Sequence, residues 1–147
     1  MNKYLTTLML LILCLTFSKS AFSSEQTGII KVTVRGFQSS EGTIMIGLYN
    51  KALLFPKTGK HLKGQAVKAI GKEVQVIFLG LPLGEYAIAA YHDKNSDMVL
   101  EKNFMGVPQE AYGFSNNVRG TLGPPSFKEA KLNLKNGSSL DVIINIK

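Results

Sequence analysis

The chain has 147 residues, of which 45% are hydrophobic, and carries 17 lysines and arginines against 10 acids, a formal net charge of +7. Its single cysteine excludes a disulfide framework, and two histidines with that cysteine are too few for a zinc site. No nucleic-acid-binding motif accompanies the positive charge, so nucleic acid is not an expected partner.

Lys3 supplies a positive start, Leu5 to Phe17 forms a short apolar run, and small residues follow. The run is too short to span a bilayer comfortably and has no stop-transfer flank. Residues 1–23 therefore read as a secretory signal peptide, and 24–147 as one domain. Ala21 and Ser23 favour cleavage before Ser24, with Ser18 and Ser20 as a second choice and an uncleaved anchor as the alternative. Leu13 stands where a lipoprotein cysteine at Cys14 would want a small residue. The processed chain of 124 residues then has no cysteine, 15 basic and 10 acidic residues, and a net charge of +5. It is expected in the periplasm or secreted, with no transmembrane span after cleavage.

Strand-like runs with period-two alternation follow in chain order. Ile30, Val32 and Val34 share one face of the first, with Lys31 and Thr33 opposite. Ile44, Ile46 and Leu48 mark the second; Val74, Val76 and Phe78 the third; Tyr86, Ile88 and Ala90 the fourth. Leu132 and Leu134 belong to a fifth, and Leu140, Val142, Ile144 and Ile146 to a sixth. Asn136-Gly137 predicts a tight hairpin turn between the last two, since both residues tolerate positive φ. Ser126 and Glu129 form a capping-box pattern that starts no more than one helical turn. Six or seven one-sided strands bury their faces best as an all-β, two-sheet antiparallel Greek-key sandwich.

Two connections are long, from Asn50 to Lys72 and from Lys94 to about Lys128. The first holds Lys51, Lys57, Lys60, Lys63, Lys68 and Lys72 with His61 and no acid, so it is a solvated loop or a surface for an anionic partner. Glu85 to Glu110, by contrast, holds five acids and two lysines. The second connection is too rich in aromatic and aliphatic residues to be disordered, and is expected as one long ordered loop.

Asp93, Asn95 and Asp97 alternate as D-x-N-x-D, with the Val99 carbonyl and Glu101 beyond them. Oxygen ligands at such spacing converge on a hard cation, so a weak calcium site is one expectation and a turn shaped by side-chain-to-backbone bonds the other. Met98 occupies the sixth position, where glycine makes the sharp turn, and Phe104 the twelfth, which excludes an EF-hand. No organic cofactor is expected. His92 follows the face of Ile88 and Ala90 while Asp93 points oppositely, so His92 is expected to be structural. A hydrolase using His92 and Glu110, with Ser115 as nucleophile, is the enzymatic alternative, though no nucleophile-elbow motif is present.

Gly106 to Asn117, GVPQEAYGFSNN, sets aromatics beside amides and glycines. Together with Tyr91 and Arg119, its residues Glu110, Tyr112, Phe114, Asn116 and Asn117 form a candidate ligand or partner loop. The other expectation is a cap in which Tyr112 and Phe114 plug the open end of the sandwich and the asparagines satisfy backbone groups. Arg119 is placed to pair with Glu110 or to contact an anionic ligand.

The turn Leu81-Pro82-Leu83-Gly84-Glu85-Tyr86 resembles the LPxGxY start of the central strand in prealbumin-like (transthyretin-like) sandwiches. With GTIMIGLYN, AYHDKN, GVPQEAYGFSNN and GPPSFKEAKL, it makes the chain resemble the bacterial family known as domain of unknown function 2141, over about Gly28 to Lys147. The resemblance implies a prealbumin-like fold, export to the envelope, and glycine as the usual residue where Met98 stands. It implies no activity. The expected role is an exported binding or interaction module for an envelope protein, peptide or glycan, with a purely structural envelope accessory as a further alternative.

Overall fold

The computed structural model describes residues 26–135, 137 and 139–147. The signal-peptide expectation for residues 1–23 and the Asn136-Gly137 turn geometry therefore lie outside the described residues. Eight strands carry the fold: β1 Thr27–Arg35, β2 Thr43–Tyr49, β3 Lys63–Lys68, β4 Glu73–Pro82, β5 Gly84–Asp93, β6 Tyr112–Phe114, β7 Leu132–Leu134 and β8 Ser139–Asn145. A 3-10 turn covers Ser115–Asn117, and one helical turn, α1, covers Phe127–Ala130. Among the described residues no helix is long and apolar enough to cross a membrane.

The strands form two layers, β4-β1-β8 and β3-β2-β5-β6, with β7 sharing the β6 edge of β5. All ladders are antiparallel except β1 with β8, which run parallel from Ile29↔Ser139 to Arg35↔Asn145. The layering follows from the alternation. Ile30, Val32, Val34, Val76, Phe78, Val142 and Ile144 project from the three-stranded sheet against Ile44, Ile46, Leu48, Ile88 and Ala90 of the other, all buried. Each fully buried aliphatic side chain contributes about 1.5–3 kcal/mol relative to leaving it in water. At the corner between sheets, the Tyr86 hydroxyl donates to the Pro82 carbonyl at 2.7 Å and ties the start of β5 to the end of β4.

Two details differ from the sequence reading. The strands flanking Asn136-Gly137 are not hairpin partners: β7 pairs with β5 and β8 pairs with β1, in different layers. Leu134, Val142, Ile144 and Ile146 are all buried in the shared core in this arrangement. The Asn50–Lys72 connection is also not all loop, since it contains β3, whose six residues have only Val67 out of full exposure. This lysine-ended strand borders β2 alone and so forms the edge of its sheet, where charge discourages further pairing. The capping box is formed: Ser126 Oγ accepts from the Glu129 amide while the Glu129 carboxylate accepts from the Ser126 amide.

Candidate functional site

The outer face of the five-stranded sheet is apolar where a solvated face would be polar. Met45, Gly47 and Tyr49 of β2 lie beside Tyr91, Ala89 and Ala87 of β5, and Tyr112 and Phe114 of β6 continue the same face. Part of it is covered. Phe55, from the connection after β2, packs edge-to-face on Tyr49, Phe114 and Phe127 with ring centroids 5.3–5.9 Å apart. These residues with Ala87 and Ala130 make a second, smaller core outside the sandwich.

Beside that cluster the face stays open as a groove of about 940 Å³. Its floor is Met45, Gly47, Ala89 and Tyr91. One wall is Pro56 to Gly59 with His61; the other carries Met98, Leu100, Lys102 and Met105 to Pro108; Gly120 to Pro124 close an end. Gly47 and Gly64 are register partners on β2 and β3, and the His61 ring occupies the space their missing side chains leave. A Cβ at Gly64 would collide with that ring, and one at Gly47 would press on Tyr49 at 3.0 Å. His61 also meets Tyr49 edge-on at 6.2 Å, so it lies across the floor, solvent-facing on its outer side. The opposite wall and the Gly120–Pro124 end expose apolar surface: Met98, Met105 and Leu122 are 68%, 73% and 101% exposed.

Tyr91 is the polar group of the floor. Its hydroxyl is buried and has no hydrogen-bond partner among the described residues. Burial, reinforced by the carboxylates of Asp93, Glu110 and Asp97, pushes the phenol up to about 12, so it stays a neutral donor at physiological pH.

The loop from Lys94 to Ala111 is ordered by its own side chains. Glu110 is 6% exposed and spans it, accepting from the Lys94 amide at 3.0 Å and the Glu101 amide at 3.2 Å. Asn103 Oδ1 accepts from the amides of Met105 and Val107 at the loop's tip. Asp93 is fully buried and accepts from the amides of Asp97 at 3.2 Å and Met98 at 2.8 Å. Asn95 Oδ1 accepts from the Asp97 amide, and Asp97 Oδ1 from the Val99 amide. The oxygens of this D-x-N-x-D run thus shape a turn. Two carboxylate oxygens, Asp97 Oδ2 and Glu101 Oε1, converge on Asn95 Nδ2 at 2.9 and 3.1 Å. Among the described residues no group of three or more His, Cys, Asp or Glu is assembled as a metal centre.

The remaining candidates divide. Tyr112 and Phe114 do not plug the end of the sandwich; as β6 they sit on the outer face and border the groove. Gly113 between them points inward, where a Cβ would lie 2.9 Å from the Asn145 carbonyl oxygen. Asn116 and Asn117 take positive φ and face away from the groove. Asn116 donates to the carbonyls of Glu129 and Lys131, while Asn117 bonds Ile143 and Asn145 of β8. Arg119 stacks over the Tyr112 ring at 5.2 Å and donates to the Tyr112 carbonyl, rather than reaching Glu110.

His92 and Glu110 both border a smaller polar hollow of about 310 Å³ at the sandwich mouth. His92 is fully buried, and its Nε2 donates to the Glu41 carbonyl at 2.7 Å, leaving Nδ1 without a partner among the described residues. The Ser115 hydroxyl is engaged elsewhere, accepting from the Ile88 amide at 2.9 Å and donating to the Ala130 carbonyl at 2.5 Å. No hydrogen bond among the described residues links Ser115, His92 and Glu110, so the nucleophile–base–orienter arrangement of a hydrolase is not assembled.

The sequence reading singled out the lysine-rich connection and Met98 but not that they face each other across a groove, and it missed Met105 and the Gly120–Pro124 end. A signal was present: β2 and β5, reading TIMIGLY and YAIAAY, are apolar at nearly every position, which marks a strand covered on both faces.

No curated protein and no solved structure matches the chain. A family model described as an uncharacterized protein conserved in bacteria (DUF2141) matches residues 32–141, from within β1 into β8, including the loops on both sides of the groove. The chain belongs to the DUF2141 family.

Proposed function

We propose that the chain is an exported binding module that seats its ligand in the groove on the outer face of the five-stranded sheet. One observation carries this reading. Two neighbouring strands, apolar on both faces, leave a concavity of about 940 Å³ floored by Gly47, Ala89 and a tyrosine whose hydroxyl has no partner among the described residues. Pockets of this size, mostly apolar with a few polar groups, suit a small molecule or a short apolar segment of a peptide. The test uses the chain purified after export and a neutral solvatochromic dye such as Nile red. Dye emission should brighten with the wild type and fall when Met98→Ser and Leu122→Ser are combined, both positions being exposed enough to spare the fold. Equal brightening by the two proteins removes the reading.

A second proposal concerns calcium at the Asp93–Glu101 turn, favoured by the convergence of Asp97 and Glu101 on the Asn95 amide. A rotated amide would offer Oδ1 with those two carboxylates and the Val99 carbonyl to a hard cation. Asp93 would stay with its two backbone amides. Such a site has millimolar affinity at best, so thermal unfolding with and without several millimolar calcium tests it. An unchanged midpoint ends the calcium proposal and leaves the groove untouched.

A further inference from the structure

The groove is not electrically neutral along its length. Its Pro56–His61 wall brings Lys57 and His61 to the groove, and Lys102 lies on the opposite wall, while the other lysines between Lys51 and Lys72 lie outside the lining. The ion pairs among the described residues are Arg35–Glu73 and Lys131–Glu85, and neither uses this wall. Lys63 does bond a protein group, but a neutral one, the Leu79 carbonyl. At the other end the floor closes on Tyr91, whose surroundings are Asp93, Asp97 and Glu110. Between these ends lie Gly47, Ala89 and the methionine wall, surface that conforms readily to a flexible alkyl chain.

Resting on the groove as the binding site, we infer that its ligand is a single-chain amphiphile whose anionic end sits against Lys57 and His61. The apolar body lies along Gly47 and Ala89 toward Tyr91. Direction follows from charge: the acidic surroundings of Tyr91 repel an anion, and Lys57, with no acidic partner among the described residues, attracts one. The Tyr49 hydroxyl donates to the Lys57 carbonyl at 3.1 Å, which ties the wall's backbone to the floor.

The test compares decanoate with decanol, the uncharged alcohol of the same chain length, by titration calorimetry on the exported chain at low salt. Decanoate should bind roughly fivefold more tightly, the size expected of one solvent-accessible charge contact. Lys57→Glu should abolish that advantage, and the His61 ring protons should shift on adding decanoate to the wild type. Equal affinity for both ligands overturns the anionic end but keeps the groove. Binding of neither removes the groove reading and this inference with it. Decanoate binding that survives Met98→Ser with Leu122→Ser undiminished means adsorption on the lysine surface, and overturns the inference as well.

Discussion

The backbone amide of Met98 donates to Oδ2 of Asp93 at 2.8 Å, and to make that bond Met98 holds φ at +65°. A buried carboxylate and a strained backbone residue thus share one hydrogen bond, and the turn leading into the groove's apolar wall hangs from it. Asp93→Ala strands two amides beside a buried site and should cost about 2–4 kcal/mol. Asp97→Ala, on the exposed side of the turn, should cost about 1 kcal/mol or less. Urea unfolding at neutral pH measures both, and equal losses would mean that Asp93 does not anchor the turn.

Met98 itself gives a second expectation. A left-handed conformation costs a non-glycine residue about 1–2 kcal/mol, partly offset by the extra freedom glycine has when unfolded. Met98→Gly should therefore raise stability by up to about 1 kcal/mol. The same change removes part of the apolar wall, so dye binding should weaken as the melting temperature rises. A fall in both would show that the methionine side chain packs for stability.

Tyr91 carries the pH dependence. Its folded-state phenol titrates at about 12, above the ordinary tyrosine value of 10, because burial and nearby carboxylates disfavour the phenolate. The unfolded chain loses this proton first, so the stabilising contribution is complete below about pH 10 and is lost as pH rises toward 12. Tyr91→Phe should flatten that part of the stability curve. At neutral pH it should be neutral or stabilising by up to about 1 kcal/mol, because the hydroxyl has no partner among the described residues to lose. Ultraviolet titration of the phenols and denaturant curves across this range check both statements.

Ser115 separates architecture from chemistry. Its hydroxyl joins the Ile88 amide of β5 to the Ala130 carbonyl at the end of α1, both buried. Ser115→Ala should cost about 2 kcal/mol by leaving those groups unpaired. Once folded, the variant should bind the dye as the wild type does. Lost binding in a fully folded variant would tie Ser115 to the groove after all.

Alternation made the sandwich legible. Ile30, Val32 and Val34, or Val142, Ile144 and Ile146, announce a buried face because successive side chains on a strand must point to opposite sides. The opposite pointing of His92 and Asp93, and the one-turn helix behind Ser126, were readable for the same reason: each depends on stereochemistry within a few residues. β3 was not readable, because KGQAVK is exposed on both faces and becomes a strand only through hydrogen bonds to β2. Nor was the separation of β7 from β8, which pair with β5 and β1, strands distant in sequence. The groove belongs to this second kind. Its apolar floor is written in β2 and β5, but its basic and methionine-bearing walls come from connections dozens of residues apart, and only sheet pairing across those separations sets them facing one another.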